Sequence, residues 1–116
     1  MRSLNDEKCI ACNPNSPPAT KDDVISLQPQ IPLWDLKLED SVRKLERVFK
    51  IRKYQSVLRF TQEIGALADE EGHHPRIMTE WGKVTVTWWT HAISDLHRND
   101  FIMAAKTDGL FENMSA

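Results

Sequence analysis

The longest regular pattern of apolar and polar positions spans residues 54–71. Val57, Phe60, Thr61, Ile64, Leu67 and Ala68 recur at helical spacing on an otherwise polar segment. Arg59 and Glu63 add an i, i+4 pair on the polar side. Gly72 stands where a helix closes with a left-handed residue. Upstream, Thr20-Lys21-Asp22-Asp23 has the makings of a capping box, so a short helix begins there, and Pro29 and Pro32 end it. Trp34, Leu36 and Leu38 alternate with Asp35, Lys37 and Glu39, which predicts a half-buried strand. Glu39-Asp40-Ser41 reads as a turn, and Val42–Lys50 as a second strand with Leu45 and Phe49 on one face. After His73-His74-Pro75, a short segment to Glu80 leads into a Trp81-Gly82 turn. Residues 83–90 are strongly β-prone, with Val84, Val86 and Trp88 on one face and Thr85, Thr87 and Trp89 on the other. A last helix is predicted over 97–106, stopped by Thr107-Asp108-Gly109. The order α-β-β-α-β-β-α, with short turns between consecutive strands, predicts an α+β fold. In it a four-stranded antiparallel sheet carries three helices on one face.

A chain of 116 residues is one domain's worth. Its pattern divides it into a flexible N-terminal arm (1–19), a single domain (20–112) and a short tail (113–116). There is no run of 18 apolar residues, so no membrane helix is expected. The first twenty residues are polar and hold Pro14, Pro17 and Pro18, unlike a signal peptide. With 15 basic and 17 acidic residues, the formal charge of −2 implies no broad basic face for nucleic acid. The two cysteines, Cys9 and Cys12, lie in the arm as Cys-x-x-Cys. A zinc knuckle needs a second pair, and a thioredoxin-like site needs a helix where Asn13-Pro14-Asn15-Ser16-Pro17-Pro18 stands. What is left is two thiols in a mobile tail, metal bridging between subunits, or redox sensing. The expected compartment is the cytoplasm, which keeps such thiols reduced.

The candidate chemistry is concentrated. His73, His74, His91 and His97 fall within 25 consecutive residues, together with Trp81, Trp88 and Trp89. His73 and His74 are adjacent in an extended segment, so their side chains should point to opposite sides. Pro75 biases His74 toward extended backbone. His91 ends the long strand, where sites usually form. Imidazole exchanges a proton near neutral pH. A single histidine is more often a satisfied structural residue, and the tryptophans are first of all core material. Taken together, they fit either a three-histidine metal site or metal-free acid–base catalysis on a flat polar substrate. The spacing lacks His-x-His and helical His-x-x-x-His. Asp100 falls at the third position of the last helix if His97 is its cap, where it either binds backbone amides or holds a histidine ring.

Asp69-x-x-x-His73-His74-Pro75, then Trp81, His91 and Asp100, resembles the signature of pterin-4a-carbinolamine dehydratases. The element order follows that family over about residues 20–110. The stretch Leu96-His97-Arg98-Asn99-Asp100-Phe101 and the Cys9-x-x-Cys12 arm resemble its bacterial branch, associated with phenylalanine hydroxylase. The resemblance implies a 4a-hydroxytetrahydrobiopterin dehydratase, a hydro-lyase that expels the 4a-hydroxyl of a 4a-hydroxytetrahydropterin as water and releases quinonoid dihydropterin. No metal or organic cofactor is implied. Carried over, His73 and His91 are the acid/base pair and His74 orients the pterin, while the division between His73 and His74 stays open. Asp100 supports, and Trp89 and Thr90 line the pocket. The chain departs from the family at His97, where Ser or Thr is often found, and at Ile77 or Met78, where an aromatic residue often follows the His-His-Pro motif. Implied partners are the pterin, further copies of the chain as a dimer or tetramer, and a phenylalanine hydroxylase. The alternative is a non-enzymatic partner of a hydroxylase or transcription factor, docking through Phe101, Ile102, Ala105 and Leu110 of an exposed last helix.

Overall fold

The computed structural model describes residues 3–10 and 12–114. The helices are α1 (Lys21–Leu27), α2 (Tyr54–Glu71) and α3 (Arg98–Asn113), and the strands are β1 (Asp35–Glu39), β2 (Val42–Lys50), β3 (Arg76–Glu80) and β4 (Lys83–Trp88). The strands form one antiparallel sheet in the order β1-β2-β4-β3. The predicted α+β class and element order are those observed. Leu45 pairs with Trp88 and Phe49 with Val84, so these side chains share one sheet face with Val86. Against that face pack Phe60, Ile64, Phe101 and Met103, all fully buried. Phe49 meets the rings of Phe60 and Phe111 at centroid distances of 4.9 and 5.0 Å. Among the described residues, no helix is long and apolar enough to cross a membrane.

Local chemistry sets the ends of the elements. Thr20 and Asp23 close the predicted capping box on α1. Asp40 and Ser41 both adopt positive φ, 52° and 66°, which makes the two-residue turn that matches the right-handed twist of β1 and β2. Gly72 takes φ 66° and ψ 31°, a left-handed conformation that costs a residue without Cβ little, and so releases the chain from α2 at His73.

Several expectations give way to tertiary contacts. Trp34 is buried but precedes β1, whereas Leu36 and Leu38 are 41% and 73% exposed. The strand is the edge of the sheet, with a neighbour on one side only. β4 ends at Trp88, and Thr85 and Thr87 are buried although they face away from the helices. Long polar side chains cover them: Thr87 donates to Glu46, which also pairs with Lys37 and Arg76. The last helix does not stop at Thr107 but continues to Asn113. Thr107 donates to the Met103 carbonyl and accepts from Trp88 Nε1, and Asp108 accepts from Trp34 Nε1. These side-chain bonds hold three residues in helix that their propensities would release. Phe101 and Ile102, expected on an exposed docking helix, are buried in the chain's own core, because α3 packs on the sheet. Trp81 is 80% exposed at the β3–β4 turn, at the far end of β4 from His91. Residues of the expected arm lie along α3: Leu4 is buried, and Asn5 touches the helix at Gly109.

His97, an unusual cap, opens α3 by accepting the Asn99 N–H at Nδ1, 3.0 Å. An accepting Nδ1 carries no proton, so the ring is the neutral Nε2–H form. Burial holds His97 below its ordinary pKa of 6.5, Asp100 and Asp23 oppose that shift, and His73 adds to it.

Two measurements follow from this packing. Phe60→Ala is expected to cost about 3–5 kcal/mol in urea unfolding, because its cavity opens between Phe49 and Phe111 in an interlocked cluster. A loss under about 1 kcal/mol would mean that the cluster collapses around it. For His97, the unfolded chain binds a proton that the fold resists, so its contribution is complete above about pH 6.5 and is lost as pH falls toward the lowered native value. His97→Asn keeps a capping acceptor and should flatten the stability-versus-pH curve between pH 7 and 5.

Candidate active site

The turn after α2, the end of β4 and the start of α3 meet at Asp100, which has none of its surface exposed. Its Oδ1 accepts from His73 Nε2 at 2.6 Å. Its Oδ2 accepts from Thr90 Oγ1 at 2.8 Å and from the His97 N–H at 2.9 Å. A buried carboxylate is tolerable when donors surround it, and three do. Both sequence readings of Asp100 therefore apply, since it holds a histidine ring and a backbone amide of the helix start.

His73 is 7% exposed. Its ring stacks on Trp88 at 5.7 Å between centroids and 7° between planes. Because Nε2 keeps its proton and donates it in a hydrogen bond to Asp100, Nδ1 is the nitrogen left with the lone pair in the neutral ring. The ring is thus fixed on one side by a carboxylate and on one face by an indole. That indole is anchored in turn, as Trp88 Nε1 donates to Thr107 Oγ1 at 3.1 Å.

His74 points the other way, as the extended backbone requires. It is exposed, and its Nε2 donates to Asp69 Oδ1 at 3.0 Å. His91 is also exposed, and its Nε2 lies 3.3 Å from the His74 carbonyl oxygen. That contact brings the end of β4 against the turn after α2. The ring of His91 tilts over Trp89 at 4.5 Å. Lys44 Nζ lies 4.2 Å from the centre of the Trp89 ring, and Arg76 approaches it at 5.4 Å. Glu39 binds both cations, which hold its carboxyl down at about 2. The site residues thus divide. His73, Asp100 and Thr90 form one buried hydrogen-bonded unit, and His74, His91 and Trp89 lie at an exposed rim. Thr90 is 1% exposed and spends its hydroxyl on Asp100.

Sequence reasoning missed Thr107, which anchors Trp88, and Lys44 and Arg76, which sit over Trp89. None falls in a motif, and their partners are 19, 45 and 13 residues away in the chain. Among the described residues, no three His, Cys, Asp or Glu side chains gather as metal ligands. A cavity of about 760 Å³ lies elsewhere, between the start of α2 and the end of α3, lined by Lys50, Ile51, Lys53, Phe111 and Met114. None of the four histidines lines it.

Arranged this way, the site can take a proton at His73 Nδ1 with the positive ring lying against a carboxylate, and a second proton can move at the exposed His91. Residues 17–110 match a family model described as pterin 4 alpha carbinolamine dehydratase. A curated protein of Nitrosococcus oceani named "Putative pterin-4-alpha-carbinolamine dehydratase" is 52% identical over 113 residues, which are 97% of this chain and 100% of that protein. Among solved structures, a transcriptional coactivator/pterin dehydratase from Brucella melitensis superposes with a TM-score of 0.73 at 21% identity, covering 81% of this chain and 98% of that one. The solved structure shares the fold, and the family model and the curated relative span nearly the whole sequence. The chain belongs to the pterin 4 alpha carbinolamine dehydratase family.

Proposed function

We propose that the protein is a 4a-hydroxytetrahydrobiopterin dehydratase that expels water from a 4a-hydroxytetrahydropterin to give quinonoid dihydropterin. The observation that carries this reading is the buried His73–Asp100 pair beside an exposed His91, in a chain of the dehydratase family. Hydroxide is a poor leaving group, so an acid must protonate it as the C4a–O bond breaks. The electrons come from the pterin ring, so a base must take the N5 proton. His73, with Nδ1 free to exchange a proton and its ring fixed by Asp100 and Trp88, fits one transfer, and His91 fits the other. His74 orients the pterin from the rim. Thr90 acts through Asp100, and Trp89 supplies an apolar wall whose charge is set by Lys44 and Arg76. These residues supply both transfers without a cofactor.

The reaction belongs to tetrahydrobiopterin recycling after phenylalanine hydroxylation, in a reducing cytoplasm consistent with two free thiols. The protein works as a dimer or tetramer. An edge strand with Leu36 and Leu38 turned to solvent is a surface that another copy would cover.

Dehydration of freshly generated 4a-hydroxytetrahydropterin, followed by ultraviolet absorbance, tests the chemistry. His73→Ala and His91→Ala should each lower kcat by roughly 10²–10⁴, about 3–5 kcal/mol in the barrier. Wild-type turnover in both folded variants would sink the assignment. Light scattering should give a multiple of 13.4 kDa, and Leu38→Lys should move the particle toward the monomer. A monomeric wild type would refute the assembly.

A further inference from the structure

Two thiols that the dehydratase reading leaves unused converge on Asn99. This residue, 2% exposed, sits in the first turn of α3 between Arg98 and Asp100. Its Oδ1 accepts the Ile10 N–H at 3.1 Å. Its Nδ2 donates to the Ile10 carbonyl at 2.7 Å and to Cys12 Sγ at 3.0 Å. Its own carbonyl accepts the Cys9 S–H at 3.8 Å, and the Cys12 S–H points at the Ile10 carbonyl at the same distance. Around this clasp, the Cys9 N–H donates to Glu71 Oε1 at 3.0 Å, and Arg98 grips Glu7 through two bonds of 3.0 and 2.8 Å. The arm therefore ties the last residue of α2, two positions before His73, to the turn of α3 that carries Asp100.

A disulfide sulfur has no proton to donate. Joining the two cysteines removes both S–H bonds to carbonyls and changes what Asn99 Nδ2 binds. We propose that Cys9 and Cys12 form a dithiol–disulfide exchange site whose reduced form clasps the arm to α3. The co-reactant is a small-molecule disulfide. Cys12, as thiolate, attacks one of its sulfurs, breaking that S–S bond and releasing one small thiolate. Cys9, as thiolate, then attacks the Cys12 sulfur of the mixed disulfide and expels the second. The two cysteine protons end on the two released thiolates. The cysteine pair is oxidised by two electrons and the small disulfide is reduced by two.

Cys12 goes first because burial, reinforced by Glu71 and Asp100 and opposed by Lys106, pushes the Cys9 thiol up to about 12. A docked Cys9 is a poor nucleophile, so ring closure requires the arm to lift. Docking and reduction are then linked. Whatever the clasp contributes to docking, it must also contribute to keeping the pair reduced.

The test equilibrates the full chain in glutathione/glutathione disulfide mixtures, native and unfolded in urea, and reads the oxidised fraction by alkylation and mass spectrometry. The native pair should need a mixture about tenfold more oxidising than the unfolded chain does, about 30 mV for a two-electron couple. Native Asn99→Ala should fall toward the unfolded value. If that variant does not fold, Glu7→Ala loosens the arm away from the thiols and should shift the midpoint the same way. Equal midpoints for native and unfolded chains would overturn the proposal. So would identical amide exchange at residues 71–73 and 97–100 in the dithiol and disulfide forms, because the clasp predicts faster exchange after oxidation. No readout needs turnover, so this inference and the dehydratase reading can fail separately.

Discussion

Asp100 is a carboxylate without any exposed surface, and its position explains why three separate parts of the chain meet. An isolated buried charge costs several kcal/mol, so the fold holds only if each donor arrives. His73 comes from the turn that leaves α2, Thr90 from beyond β4, and the His97 amide from the cap of α3 itself. Moving any of these elements strands the carboxylate. The bond from His73 both supplies one of the carboxylate's donors and, with the Trp88 stack, holds the His73 ring in place.

The sheet does a second kind of sorting. Trp88 and Trp89 are neighbours in sequence but lie on opposite faces. Trp88 packs under α3, where Thr107 anchors it and His73 stacks on it. Trp89 lies on the open face among Lys44, Arg76 and His91. The adjacent pair His73 and His74 divides in the same way, one ring buried and one at the rim. One alternation rule, set by strand-like backbone, thus gives the site a buried, rigid half and an accessible half.

The arm extends this frame beyond the domain's regular elements. Asn99 binds it with backbone-like bonds to Ile10, and Glu71 and Arg98 add contacts on both sides. These contacts span 62 to 91 residues of sequence. They reach the turn after α2 and the start of α3, the two segments that also hold His73 and Asp100.

By itself, the sequence determined whatever depends on neighbours within a turn or two. The stripe of Val57, Phe60 and Ile64 makes α2, the Thr20–Asp23 box starts α1, Gly72 ends α2, and alternation sends His73 and His74 apart. Each of these follows from local hydrogen bonds and one-sided burial, which leave a period or a spacing that can be read. The element order and antiparallel class follow from the same signals and from short turns. Only the tertiary structure decided that α3 runs through Thr107-Asp108-Gly109, that Leu36 and Leu38 lie at an open edge, and that Asn99 holds the arm. In each case a partner far along the chain, or the lack of a second neighbouring strand, outweighs a local preference. Trp88 and Trp34 bind Thr107 and Asp108 from β4 and from just before β1, and Asn99 binds the arm at Ile10. Such partners have no fixed spacing, so they become visible only when folding brings them within bonding distance.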